Sequence, residues 1–310
     1  MKTINTNRLL FRTVLFFVFV CFLDFHVFPQ RQEELKHDSI TKHEKPVKPP
    51  KYSLSSSGFA SFTYRDFATS PLFYRGPSMR FSYGNLRIDE RIDQMWFIDF
   101  GGGAAFAKIP KSSYLQSYTT AFFLRGELYF HLLYDIKRLS NSFCNVKFGG
   151  SGAYFANVRY NESLGNNGIG VDNIFNLMFA MKASKDISRK TEKTRNWLFI
   201  EKVLKPKKRT LCFQVNTGIL NFNYRPGYAY SYSGELNGND TNPIGWFFQD
   251  YKWAMNGWRL STKLNFTSYL SNGNARQFAY VWDAVGAPGR HSGFEMATHR
   301  LQITILFNTK

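Results

Sequence analysis

The sequence has 310 residues, 18 % of them aromatic with Phe well ahead of Trp, and a formal net charge of +18 at pH 7. This length suits one large domain or two small ones. Its one long unbroken apolar run, Val14 to Leu23, is too short for a helix that crosses about 30 Å of hydrocarbon.

The N-terminus has the pattern of an export signal. Lys2, Arg8 and Arg12 precede the apolar run, as a basic region precedes the hydrophobic core of a secretory signal. We therefore predict a cleaved signal peptide over residues 1–29.

A polar segment follows the predicted signal. It contains Lys45-Pro46-Val47-Lys48-Pro49-Pro50-Lys51 and then a serine run that ends at Ser57. This composition is typical of an extended, flexible linker. We predict a disordered linker over residues 30–56 and a single folded domain over residues 57–310.

From Gly58 onward, about ten segments have an apolar residue at every second position, with Gly, Asn, Asp, Ser and Pro between the segments. The clearest segments are Thr120 to Asp135 and Trp258 to Leu270. Successive side chains of a strand point to opposite faces, so each segment has one apolar and one polar face. The apolar faces include Phe122, Leu124, Leu128, Phe130, Leu132, Trp258, Leu264 and Phe266. The polar faces include Arg125, Glu127, His131, Arg259 and Lys263, and Asp283 joins them from a weaker segment.

This alternation fits a soluble barrel with apolar side chains inside or a membrane barrel with apolar side chains facing lipid. Some fifty large apolar side chains would not fit inside a barrel of about ten strands. The segments also reach the roughly nine to eleven residues that a tilted membrane strand needs. The sequence therefore predicts an all-β fold, an antiparallel transmembrane β-barrel of about ten strands. Two further strands within Gly227 to Asp250 would make twelve.

Loop lengths predict an orientation, since such barrels have short periplasmic turns and longer external loops. The turns at Asp89-Glu90 and at Ser271 to Asn274 are predicted to be periplasmic, and Arg225 to Asn256 to be the main external loop. Trp258, Tyr280, Trp282 and Tyr160 are predicted at the outer rim as an interfacial girdle.

The segment from Lys185 to Arg209 has ten basic and three acidic residues. Such a cluster suits anionic lipid headgroups, lipopolysaccharide phosphates or a solvated loop, whereas export disfavours nucleic acid. Thr194 to Leu204 is the one weak helix candidate. The orientation above places this long segment on the periplasmic side.

Short motifs in residues 58–310 resemble outer-membrane β-barrels of the Bacteroidota. They are Asn223 to Tyr228, Asn272-Gly273-Asn274 and Tyr280 to Asp283. The last strand, with Leu301, Ile303, Ile305 and Phe307, resembles the assembly signal that such proteins present to the barrel-insertion machinery. Asn308-Thr309-Lys310 follow it, whereas the usual pattern ends on the aromatic residue. The resemblance implies a fold and a location, and no activity.

No segment predicts a catalytic, cofactor or metal site. Gly101-Gly102-Gly103 and Gly149-Gly150 lack the Lys-Ser/Thr of a phosphate loop and are better explained by bending or close packing. The inward polar cluster is expected to be a filling of paired charges, with substrate or proton binding as the alternative.

We predict a non-enzymatic outer-membrane protein with an accessory, structural or partner-binding role. Its partners would be outer-membrane lipids, lipopolysaccharide, the insertion machinery and another envelope protein. The alternatives are a narrow channel for small polar solutes and, third, a lipid-modifying enzyme.

Overall fold

The computed structural model describes residues 49–109, 117–141, 143–197, 200–226, 251–288 and 293–309. Within these residues the protein has thirteen strands and one short 3₁₀ helix, Glu162–Asn167. The strands are β1 Lys51–Asp66, β2 Ser70–Ile88, β3 Ile92–Ile109, β4 Ser117–Asp135, β5 Asn145–Tyr160, β6 Ile169–Asp186, β7 Lys193–Trp197, β8 Ile200–Leu204, β9 Arg209–Pro226, β10 Tyr251–Ala254, β11 Trp258–Tyr269, β12 Ala275–Ala287 and β13 Phe294–Asn308.

Ten of these strands close into a barrel. Neighbours pair in antiparallel register in the order β9-β11-β12-β13-β1-β2-β3-β4-β5-β6, and β6 pairs with β9 to complete the ring. The ten strands have 12 to 19 residues each. The closure confirms the predicted fold class and the strand number of ten. Because every barrel strand has two neighbours, no barrel edge is left open to pair with another chain.

The structure corrects the boundary between the predicted linker and the barrel. Strand β1 begins at Lys51 and pairs along its length with β13 and β2, so the serine run belongs to the barrel wall. The seryl hydroxyls at alternate positions look polar in sequence, but a strand between two partners satisfies its backbone whatever its side chains are. The predicted signal peptide, residues 1–29, and the linker as far as residue 48 lie outside the described residues.

The two ends of the barrel differ. We call the end with Lys51 and Asn308 the terminal rim, where the Thr309 amide donates to the Lys51 carbonyl at 2.8 Å. The links β2–β3, β4–β5, β6–β9 and β11–β12 lie at this rim. The strand ends that flank the remaining links lie at the opposite, distal rim. The tight turn at the terminal rim closes with the Leu270 amide donating to the Asn274 carbonyl at 2.8 Å. The turns predicted to share one side therefore do share it.

The link between β6 and β9 contains a hairpin and no helix. Strands β7 and β8 pair antiparallel from Lys193↔Leu204 to Trp197↔Ile200. The helix predicted for Thr194 to Leu204 is therefore wrong. A lone helix of about ten residues is marginal without packing, whereas two short strands satisfy each other's backbone groups.

Two predicted rim positions are wrong. Trp258 opens β11 and Tyr160 ends β5, both at the distal rim as predicted. Tyr280 and Trp282 instead lie midway along β12, opposite Leu301 and His299. The sequence pattern indicated which face of the sheet these side chains occupy. It did not indicate their position along the barrel axis, because that position depends on where the strand starts.

The described residues include no helix long and apolar enough to span a bilayer.

Candidate functional site

The outward surface of the barrel is apolar and exposed. On β4 the exposed fractions of Phe122, Leu124 and Leu128 are 59 %, 65 % and 50 %. Of the other residues predicted to face lipid, Phe130, Trp258 and Leu264 are exposed, and Leu132 and Phe266 are partly buried. From Phe122 to Leu132 the strand rises about 33 Å, which is about 25 Å along the barrel axis at the usual tilt. That height matches the apolar band of a membrane barrel.

The last strand contributes to the same outward surface. Leu301, Ile303, Ile305 and Phe307 all point outward and are 44–68 % exposed. The strand continues through Asn308, which pairs with Tyr52 of β1. These residues therefore lie beside the seam where the first and last strands meet. Their role as an assembly signal stays a prediction.

The inward surface carries charge, and the largest group of charges spans the middle of the barrel. Glu127 accepts from Arg259 at 2.6 Å, from Arg125 at 2.9 Å and from Arg80 at 3.2 Å. Arg259 also donates to Asp283 at 2.9 and 3.0 Å. This central cluster consists of Arg80, Asp99, Arg125, Glu127, Arg259, Asp283 and Arg300.

The remaining members tie further strands to the cluster. The Asp99 carboxylate accepts from Arg80 at 2.7 Å, from Ser82 at 2.8 Å and from Arg300 at 2.6 Å. The seven side chains come from six strands, β2, β3, β4, β11, β12 and β13. The exposed fraction of every member's side chain is between 0 and 13 %. The cluster therefore crosses the hollow of the barrel from wall to wall.

A second cluster lies toward the distal rim. Asp66 and Asp172 each contact both Arg159 and Arg225, with N···O distances of 2.7–2.8 Å. The Arg159 and Arg225 guanidinium carbons lie 5.2 and 4.8 Å from the centre of the Phe294 ring. The four charges balance. Their aromatic neighbours exclude water, which strengthens the ion pairs.

A third cluster lies toward the terminal rim. Asp93 contacts Lys147 at 2.8 Å and Lys182 at 2.6 Å, and Lys147 also donates to the Asp89 carbonyl. His131 is buried nearby on β4, where its Nδ1 lies 3.5 Å from Gln214 Nε2.

Apolar side chains fill the space around the clusters. Toward the distal rim, Phe62 and Phe123 stack with their ring centres 4.8 Å apart, and Phe155 lies 4.2 Å from the Arg125 guanidinium. Toward the terminal rim, Tyr52, Leu54, Met95 and Leu306 form a second buried group. Apolar side chains therefore fill the described interior on both sides of the central cluster.

Of the predicted inward cluster, Arg125, Glu127, Arg259 and Asp283 meet in the central cluster. His131 and Lys263 also point inward but lie outside it. Sequence reasoning missed Arg80, Asp99 and Arg300. Each lies at an alternate position of a predicted strand, so the alternation predicts that their side chains point inward. Their partners come from strands distant in sequence, such as Arg300 and Asp99, 201 residues apart.

The basic segment lies at the terminal rim. Arg189 and Lys207 form an isolated antiparallel β-bridge through their backbones, between β6 and the hairpin. The Arg189 guanidinium donates to the Lys205 carbonyl at 2.8 Å. Lys208 Nζ lies 5.0 Å from the centre of the Tyr269 ring. No group of three or more metal-ligating side chains is present in the described part of the chain.

The barrel has an apolar outer surface, a charged interior and a closed ring of hydrogen-bonded strands. These three features define an antiparallel transmembrane β-barrel. The chain is similar in fold to the translocator domain of the autotransporter NalP from Neisseria meningitidis, with 10 % identity, 83 % of this chain and 89 % of that chain covered, and a TM-score of 0.33. It is also similar to an outer membrane channel from Pseudomonas putida F1 (7 %, 87 % and 100 %, 0.29) and to Ail, the attachment invasion locus protein of Yersinia pestis (8 %, 84 % and 100 %, 0.24). No family model and no curated protein matches the sequence.

Proposed function

We propose that the protein is a non-enzymatic, integral outer-membrane β-barrel that acts as a closed scaffold, with an accessory or partner-binding role. A closed barrel satisfies its backbone groups without lipid or water, and its exposed apolar band requires a bilayer. Bacterial barrels of this kind belong to the outer membrane. The proposed signal peptide would export the chain.

The observation that carries the closed state is the central cluster. In an open channel, charged side chains that line the lumen would be accessible to water. Here Arg125 and Asp99 have fully buried side chains, and Arg80 and Glu127 are each only 6 % exposed. Removing one partner from such a buried network costs several kcal/mol, so opening it for transport would be costly.

A scaffold acts through its rims. At the terminal rim, the Lys/Arg-rich link from β6 to β9 would lie against phospholipid headgroups or a periplasmic partner. The predicted external segment Arg225 to Asn256, of which residues 227–250 lie outside the described part of the chain, would offer lipopolysaccharide or another envelope protein its contact surface. Both assignments follow from the convention that short turns are periplasmic.

Conductance in planar bilayers tests the closed state. The purified barrel should insert without producing conductance steps, because the central cluster and its packing leave no continuous aqueous path. A known open porin in the same bilayers controls for insertion and recording. Regular, long-lived steps from the wild-type protein would favour the narrow channel instead.

A further inference from the structure

The charges inside the barrel do not balance. The distal cluster has two basic and two acidic side chains, the central cluster has four and three, and the cluster at the terminal rim has two and one. Lys263 of β11 adds a ninth basic side chain to the six acidic ones. Neutralising Lys263 would not remove the excess, because the arginines stay protonated at any physiological pH.

The excess centres on one row of residues. Across neighbouring strands the register runs from Lys182 to Gln214, Lys263, Val281 and Arg300. All five side chains face inward, and none of them is acidic. Lys182 and Arg300 reach Asp93 and Asp99. Lys263 has no ion pair or hydrogen bond with any described residue, and a cation lies two strands away on either side.

Lys263 is partly buried, as Arg300 is, whereas Arg80, Arg125 and Arg259 are buried. Around Lys263 lie polar side chains such as Gln214 and Asn265. Arg125 Nε and Arg259 Nη1 in the central cluster, and Asn265 Oδ1 on the same face of β11 as Lys263, have no hydrogen-bond partner in the described structure. An ammonium group without a counter-charge, in a row of residues with surplus positive charge, suits an anion better than a cation or an apolar guest.

We propose that the barrel interior binds one small inorganic anion beside Lys263, between Lys182 and Arg300. The Lys263 ammonium supplies charge and three N–H donors to it. The anion offsets the surplus charge and so forms part of the folded structure. The site is independent of the closed-scaffold proposal: a barrel that conducts ions would refute the scaffold and leave this site standing.

The test measures thermal unfolding of the barrel in zwitterionic detergent at pH 7. Sodium phosphate or sodium chloride replaces the salt of a large organic anion at constant ionic strength. Saturation of one site raises Tm by about 3 °C or more for a domain of this size. Lys263→Met should abolish this rise. It should also unfold at a higher temperature than the wild type when small anions are absent, because it removes an uncompensated buried charge.

Lys252→Met is the matched control. Lys252 is exposed on β10 at the distal rim, so its loss lowers the overall charge equally without touching the site. This variant should keep the full wild-type response to both anions. An equal loss of response in both variants would mean that the anions act on overall charge, and the proposal would fail.

Equilibrium dialysis with radiolabelled phosphate gives a second measurement that does not depend on how Lys263→Met folds. The wild type should bind about one phosphate per barrel, with unlabelled chloride as a competitor. Lys263→Gln, which keeps length and polarity, should bind at least tenfold more weakly. Wild-type protein that binds no phosphate and shows no rise in Tm with either anion would overturn the proposal.

Discussion

At the scale of single residues, Glu127 is the carboxylate that joins three arginines of the central cluster. Its two carboxylate oxygens serve three guanidinium groups from β2, β4 and β11. A buried carboxylate in that position offsets charges that would otherwise repel each other at close range. The sequence indicated that Glu127 faces inward, but its three partners emerge only from the closed ring.

Glu127→Gln should therefore destabilise the barrel strongly. The substitution keeps the shape and removes the charge, leaving Arg80, Arg125 and Arg259 with one fewer counter-charge. We expect a loss of about 3–5 kcal/mol in the free energy of unfolding, measured by urea titration in micelles. Glu295→Gln, which removes a partly exposed pair with Arg65 at 2.9 Å, should cost less than about 1 kcal/mol. Similar losses in the two variants would mean that the central cluster contributes no more than a surface pair.

At the scale of strands, alternation was enough to predict most of the wall. The faces of β4 and β11 follow directly from their zigzag patterns, because a side-chain period of two survives any error in strand ends. The sequence did not identify the strands whose two faces differ little in hydrophobicity. The first residues of β1 are mostly Lys and Ser on the outward face, and the β7–β8 hairpin has no apolar face in either strand. Local sequence could not identify them, since their stability comes from pairing with neighbours.

The paired glycines on β5 show how neighbours decide the role of a residue. A Cβ on Gly149 would lie 2.0 Å from the Leu132 carbonyl oxygen of β4, whereas a Cβ on Gly150 would meet nothing within 4 Å. The sequence predicted bending or close packing for both. Of these two glycines, only Gly149 is closely packed. Successive residues of a strand point to opposite faces of the sheet, so the two Cβ positions meet different surroundings.

Alanine substitutions separate the two positions. Gly149→Ala forces β4 and β5 apart and should cost at least about 1–3 kcal/mol, with a lower yield of folded barrel. Gly150→Ala should stay within about 0.5 kcal/mol of the wild type, since its methyl group enters open space on the outward face. The measurement is the folded fraction by unheated detergent gel, followed by urea unfolding. Equal behaviour of the two variants would contradict the register between β4 and β5.

At the scale of the whole molecule, the barrel has a direction. Both ends of the described chain, the short turns and the basic hairpin lie at the terminal rim, and β9 and β10 pair with each other at the distal rim. The sequence predicted this division from loop lengths. It could not predict the filling of the interior, because the three clusters arise from side chains that come together only after the ring closes. In a bilayer the terminal rim should face the periplasm, where its positive charge meets anionic phospholipid headgroups.

Single cysteines at the two rims test that direction. In cells that carry the protein in the outer membrane, Lys252→Cys should react with a membrane-impermeant maleimide without lysis, because β10 lies at the distal rim. Lys190→Cys should react only after the outer membrane is permeabilised, since it lies between β6 and the hairpin at the terminal rim. Both variants are made in a background with Cys21, Cys144 and Cys212 replaced by Ser, and that background alone is the control for residual labelling. Labelling of Lys190→Cys in intact cells would reverse the orientation, and the basic rim would then face the lipopolysaccharide side.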